Sequence, residues 1–129
     1  MFLLAHGMVK LLIVRIEICR GKDMTGKEFV KLCHDEKENI LASYFAEDRE
    51  SEVASILKSL IQAGVSKDEL YRLVDTVMTD SYYTLLLGID GAGSLGNTQK
   101  TYKLLDENGE LLNPCGELEE NAYSYFIEE

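Results

Sequence analysis

Two copies of the pattern Ser/Thr-x-x-Glu, Thr25 with Glu28 and Ser66 with Glu69, each stand ahead of apolar residues spaced three and four apart. No other feature constrains the fold as strongly. A hydroxyl at the N-cap and a glutamate three residues on can satisfy each other's backbone N–H groups, which sets where a helix begins. After Thr25 come Phe29, Leu32, Cys33, Ile40, Leu41, Tyr44 and Phe45, an amphipathic helix interrupted in its middle by the charged run HDEKEN. After Ser66 come Leu70, Leu73, Val74, Val77 and Met78. Between the two, Val53, Ile56, Leu57, Leu60 and Ile61 mark another helix, and Gly64 stands where a left-handed C-terminal cap belongs.

The segment that follows has two readings. SYYTLLLGI, residues 81–89, is rich in strand-favouring side chains, yet Tyr82, Leu85, Leu86 and Ile89 keep the helical stripe in phase with Met78. One long helix over residues 67–89 is favoured, with a buried strand as the alternative. Beyond a glycine-rich stretch, QKTYKLLDENGELLN is two apolar runs joined by DENG, which predicts a β-hairpin. Pro114 and Gly116 punctuate the chain, and Leu118, Ala122, Tyr125 and Phe126 share one face of a closing helix. The expected fold is a single α+β domain over residues 24–129, mainly helical with three to four helices, with the hairpin in its C-terminal half.

Residues 1–23 read differently. Val14, Ile16 and Ile18 alternate with Arg15 and Glu17, which predicts an N-terminal strand. Lys10 and Arg15 interrupt the apolar run, which argues against an export signal and against a bilayer span. This segment carries Lys10, Arg15, Arg20 and Lys22 against Glu17 and Asp23, a balance of +2 that leaves -12 of the total -10 to the remainder. Met24 stands directly before TGKEF, so residues 1–23 are expected to be a start-site artefact or a loosely attached strand.

At 129 residues and 46% hydrophobic content the chain can bury a core without disulfides or metal. Three cysteines, Cys19, Cys33 and Cys115, with no C-x-x-C spacing argue against a disulfide framework and a zinc site, and fit a reduced cytoplasm. The net charge of -10 argues against nucleic-acid binding, which depends on cations neutralising phosphates. After Lys103 there are eight acids and no base. That acidity serves solubility, or it is a surface made to meet a basic partner.

No catalytic constellation stands out. With His6 and His34 the only histidines, a histidine-based triad or zinc hydrolase is not expected. Cys33 and His34 would point about 100° apart on a helix and so make poor joint ligands. Asp75, Asp80 and Asp90 lie at spacings that nominate no carboxylate pair. Neither a metal nor a cofactor is expected. Tyrosine is the more unusual feature: seven occur without a tryptophan, and Tyr82, Tyr83, Tyr102, Tyr123 and Tyr125 lie in the acidic half. Ring plus phenol beside carboxylates suits gripping a basic surface; equally, the rings form one core with hydroxyls at its rim. The partner-binding candidates are Asp80, Tyr82, Tyr83, Asp90, Glu117 and Tyr123. The loop candidates are Gly88, Gly91, Gly93, Ser94 and Gly96, which either end a helix and turn the chain or cradle an anion.

The stretch LLLGIDGAGSLGN, residues 85–97, followed by DENG, is similar to the first phosphate loop of the actin-like sugar kinases and ATPases, a strand ending in GIDGGGT and then a D-x-x-G element. Ser94 replaces the threonine, and Asp106 and Gly109 match the second element. The resemblance implies loop N–H groups on ATP phosphates and an aspartate working through a metal ion. Only 33 residues follow Gly96, which leaves no room for that family's adenosine site. A second resemblance runs from Thr25 onward. VMTDSYYTLLLGIDGAGSLG, then YKLLDENGE, then GELEENAYSYF resembles a small uncharacterised bacterial family with T-D-x-Y-Y-T-x-L-L-G-x-D-G, a hairpin and a C-terminal G-E-[IL]-E…Y-x-Y-F element. No established activity attaches to it. In size and charge the chain is also analogous to immunity proteins, which present carboxylates to a basic toxin.

The expected function is a non-enzymatic cytoplasmic interaction module, an immunity-type inhibitor of a basic protein, without nucleic acid or membrane as partner. The alternative is a small phosphate- or nucleotide-binding protein using the 88–96 loop. A homo-oligomer paired through LLIVRIEI is a further possibility.

Overall fold

The computed structural model describes residues 24–48 and 50–128. Four helices follow in order: α1 (Gly26–Tyr44), α2 (Glu52–Gln62), α3 (Lys67–Ile89) and α4 (Glu117–Ala122), the last running on as a π-helical segment, Tyr123–Glu128. The first three start at hydroxyl caps. Thr25 Oγ1 accepts from the Glu28 N–H, and the Glu28 carboxylate accepts from the Thr25 N–H, a complete capping box at 3.1 Å each way. Ser51 caps α2 by accepting from the Ala54 N–H. At α3 only half the expected box forms: Ser66 Oγ accepts from the Glu69 N–H, while the Glu69 carboxylate turns to Arg72 at 2.9 Å.

Helix ends also follow from glycine. At Gly64, with φ of 103°, the Gly64 N–H reaches the Ile61 carbonyl and the Val65 N–H the Leu60 carbonyl. At Gly91, with φ of 78°, the same two bonds run from Gly91 to Gly88 and from Ala92 to Leu87. Both are Schellman closures, which satisfy carbonyls that the helix leaves open.

Residues 81–89 are helical, as periodicity favoured. Leu86 lies one turn beyond Tyr82, and both reach the core, while Leu85 is half exposed; a strand would have put Leu85 and Leu87 on one face. Residues 34–39, HDEKEN, do not interrupt α1. Lys37 turns inward and is only 4% exposed, continuing the buried stripe between Val30 and Leu41, while Glu36, Glu38 and Asn39 on either side of it are exposed.

The core forms where α4 and its π-helical extension lie between α1 and α3. Val30, Leu86, Leu118, Ala122 and Phe126 are its buried residues, with Phe29, Cys33, Tyr82, Tyr83, Leu104 and Tyr125 packed around them. Each large side chain buried there stabilises the fold by roughly 1.5–3 kcal/mol. The face read for the closing helix is the face that packs. α2 joins at one side, against α1, burying Ala54 and Leu57. Ile56 and Leu60, from the same apolar stripe, remain 51% and 38% exposed.

The expected α+β class and its β-hairpin are not what forms. Among the described residues there is no β-strand, and the fold is all-α. Residues 104–112 do fold back, but with one isolated bridge, Leu105 to Leu111. The ladder stops because a side chain takes its place: Asn113 Oδ1 accepts the Leu104 N–H and Asn113 Nδ2 donates to the Tyr102 carbonyl. At the other end the Asp106 carboxylate accepts from the N–H groups of Asn108 and Glu110, tightening the turn. The expected N-terminal strand, its pairing across a two-fold axis and the start-site reading all fall on residues 1–23, outside the described residues. No described helix is long and apolar enough to cross a membrane.

Candidate functional site

Gly116, left-handed at φ of 71°, stands at the N-cap of α4 and has no side chain to cap it. The carboxylate of Asp90, just past the end of α3, does so from across the fold. Its Oδ2 accepts from the Glu119 N–H at 2.8 Å and its Oδ1 accepts from Asn113 Nδ2 at 2.9 Å. Asn113, 6% exposed, therefore bonds to Asp90, Tyr102 and Leu104 together. One charged group thus ties the end of α3, the 102–113 loop and the start of α4, where a negative charge also suits the helix dipole. Glu117 lies beside this knot, half-buried, its Cγ 2.7 Å from where a Cβ on Gly26 would fall.

The glycines of the 88–96 loop have structural tasks. Gly91 closes α3. Gly88 is buried, and Leu95 packs so closely on it that a Cβ there would overlap the leucine. Gly96 and Asn97, with φ of 58° and 68°, make the two-residue turn that lets Leu95 and Thr98 exchange N–H to carbonyl bonds of 2.9 and 3.0 Å. Gly93 and Ser94 complete the link, Ser94 exposed. The N–H groups of Asp90, Gly91, Ala92 and Leu95 are spent on these contacts. The loop also follows the C-terminal end of a 23-residue helix, whose partial negative charge disfavours a bound anion. The resemblance to the actin-like phosphate loop carries a strand at residues 85–89, and a helix stands there instead.

The tyrosines divide. Tyr82 stacks on Phe126 with centroids 5.7 Å apart and planes 13° from parallel, and Tyr83 packs half-buried on the core. Burial pushes the Tyr82 phenol above its ordinary pKa, with Cys33, Glu36 and Tyr44 adding to the shift. Tyr123 is 50% exposed. Asp80 is exposed and lies about 15 Å along the helix axis from Asp90. Asp90 and Glu117 come together, Tyr82 and Tyr83 line the core, and Asp80 and Tyr123 face solvent. These six residues do not form one surface.

Charge is distributed unevenly over the described residues. Every ion pair among them lies on α1 and α3: Lys31 with Asp35, His34 and Lys37 with Glu38, Lys37 with Asp75, and Arg72 with Glu69. Beyond Lys103, Glu107, Glu110, Glu119, Glu120 and Glu128 are exposed and form no ion pair among the described residues.

The buried Lys37 is the polar centre that sequence reasoning passed over. Its ammonium donates to Asp75 at 2.7 Å and Thr79 at 3.2 Å and pairs with Glu38 at 2.9 Å, beside a cleft of about 410 Å³ that His34, Tyr125 and Phe126 also line. Burial, the largest single influence, pulls its pKa down; the bonds to Asp75 and Glu38 more than offset that, and the net shift is upward. With its three donors engaged and its charge held, this lysine is a structural cation, unsuited to act as a base or nucleophile. A signal was present: Lys37 follows Val30 and Cys33 at helical spacing on the apolar stripe.

Compared with protein-family models, curated proteins and solved structures, the chain matches none.

Proposed function

We propose that the chain is a non-enzymatic, cytoplasmic interaction module that binds a basic protein through the exposed acids of its C-terminal half, in the manner of an immunity-type inhibitor. One observation carries this reading: Glu107, Glu110, Glu119, Glu120 and Glu128 are exposed and form no ion pair among the described residues, while Lys31, Lys37 and Arg72 pair with acids of α1 and α3. Repulsion among such charges is relieved when a cationic surface arrives, and their summed field speeds its encounter. Tyr123, half exposed and one turn beyond the exposed Glu119 and Glu120, supplies a rigid ring beside them. Size and charge support the immunity comparison.

The test is affinity capture from the native lysate at low and high salt, with the captured protein identified by mass spectrometry. Its affinity is then measured for the triple variant Glu119→Gln, Glu120→Gln, Tyr123→Ala. The expected result is one basic protein, lost at high salt, bound at least about tenfold more weakly by the variant and with a shallower salt dependence. Recovery that ignores salt together with an unchanged affinity of the variant would refute the reading. Asp90 and Glu117 are poor choices for this test, because their side chains are built into the fold.

A further inference from the structure

The folded-back loop at residues 104–112 is apolar on both sides, and only one side is covered. Leu104 packs on the core and Leu112 is 3% exposed, whereas their neighbours Leu105 and Leu111 are 54% and 41% exposed. The pairing explains this. The Leu112 N–H donates to the Leu104 carbonyl at 2.7 Å and the Asp106 N–H to the Glu110 carbonyl at 3.0 Å. Leu105 and Leu111 between them are therefore the narrow, non-hydrogen-bonded pair, whose side chains lie closest together. Their own N–H and C=O groups point away from each other, one set along each edge, and have no partner among the described residues. The loop is also held in shape, by Asp106 in its turn and by Asn113 at its base. It is a short strand template with an uncovered apolar pair, flanked at its turn by the exposed Glu107 and Glu110 and at its base by the exposed Lys103.

We propose that this face receives an extended segment of the basic partner, with apolar residues alternating with lysine or arginine, added as a strand along the edge at Leu105 or Leu111. Strand addition supplies main-chain bonds for affinity, and alternate side chains supply specificity. The apolar set of such a segment covers the leucine pair, and its cations meet a stretch with no base after Lys103. The proposal rests on the reading of the chain as an acidic binder and names where and in what form the partner engages.

The experiment is an NMR titration of the full chain, isotope-labelled, with a short peptide of alternating valine and lysine. Two control peptides carry glutamate in place of lysine, or N-methyl groups on one backbone edge. Expected are saturable shifts of the Leu105 and Leu111 amides with the lysine peptide, absent with both controls and weakened about tenfold or more in Leu105→Ser/Leu111→Ser. Both leucines are exposed, so the variant's spectrum should otherwise match the wild type. Shifts confined to Glu119, Glu120 and Tyr123 would overturn the strand site while leaving the acidic-binder reading in place. Slow hydrogen exchange of the Leu105 and Leu111 amides in the free protein would also overturn it, since the face would then be covered by the chain itself or by a second copy.

Discussion

Replacing Asp90 by alanine separates a solvated surface charge from a structural one. The carboxylate accepts two hydrogen bonds, from the Glu119 N–H at the first turn of α4 and from the amide of Asn113, which is 6% exposed. Loss of a helix N-cap acceptor costs about 0.5–2 kcal/mol. Loss of the second bond leaves one Asn113 N–H without a partner in a buried site, which costs about 1–3 kcal/mol. The two losses share one residue and are not fully additive, so about 2–4 kcal/mol is expected, a large part of the 5–15 kcal/mol typical of a domain. For a chain of this size that corresponds to a fall in melting temperature of roughly 10 °C. Urea and thermal unfolding followed by circular dichroism read it directly. Asp90→Asn, with one acceptor oxygen in place of two, should lose about half as much. An Asp90→Ala protein within about 0.5 kcal/mol of wild type would refute the assignment and return Asp90 to the pool of free surface acids.

Gly26→Ala should destabilise by about 1–3 kcal/mol or prevent folding, because the added Cβ would overlap the backbone carbonyl oxygen of Leu112 and sit 2.7 Å from Glu117 Cγ; unfolding curves decide, and a neutral result would mean that the loop does not rest on the start of α1. Phe126→Ala removes the ring that stacks on Tyr82 and meets His34 edge-on at 5.3 Å, and should cost about 3–5 kcal/mol in the same assay. Stability should fall on the alkaline side. Burial raises Cys33 and Tyr82 above their ordinary 9.0 and 10.0, and Asp75 and Glu38 hold Lys37 above 10.5. A raised folded-state pKa gives stability that is complete below the unfolded value and lost as pH climbs through the folded one. The loss should therefore begin above about pH 9, and Cys33→Ala should delay its onset; a urea midpoint flat to pH 11 would contradict it. Phosphate, ATP and sugar phosphates should leave the melting temperature unchanged, since the loop's N–H groups near the end of α3 are already bonded; a dose-dependent rise would reinstate the 88–96 loop as a ligand site.

Much of the helical layout can be read from the chain because capping is local. Thr25 with Glu28, Ser66 ahead of α3, Gly64 after α2 and the stripe of Leu118, Ala122, Tyr125 and Phe126 all act within one or two turns, and each is where the pattern put it. The hairpin was misread for the same reason in reverse. DENG does turn the chain, but whether the flanking runs ladder depends on what their backbones meet, and Asn113 meets them first. Two of the site assignments likewise needed the fold: Asp90 bonds to an amide 29 residues away, and Lys37 to a carboxylate 38 residues away.

The sequence by itself determined where two helices start, where two stop, which face of the last one is apolar, and that the stretch after Lys103 carries acid without base. Those outcomes depend on interactions between residues a few positions apart, or on composition alone. The tertiary structure decided that Asp90 is a cap, that Lys37 is buried, that Tyr82 and Tyr83 belong to the core, and that Leu105 and Leu111 face outward. Each of these depends on which distant group fills the space beside the residue, and a polar or apolar side chain takes its role from that neighbour.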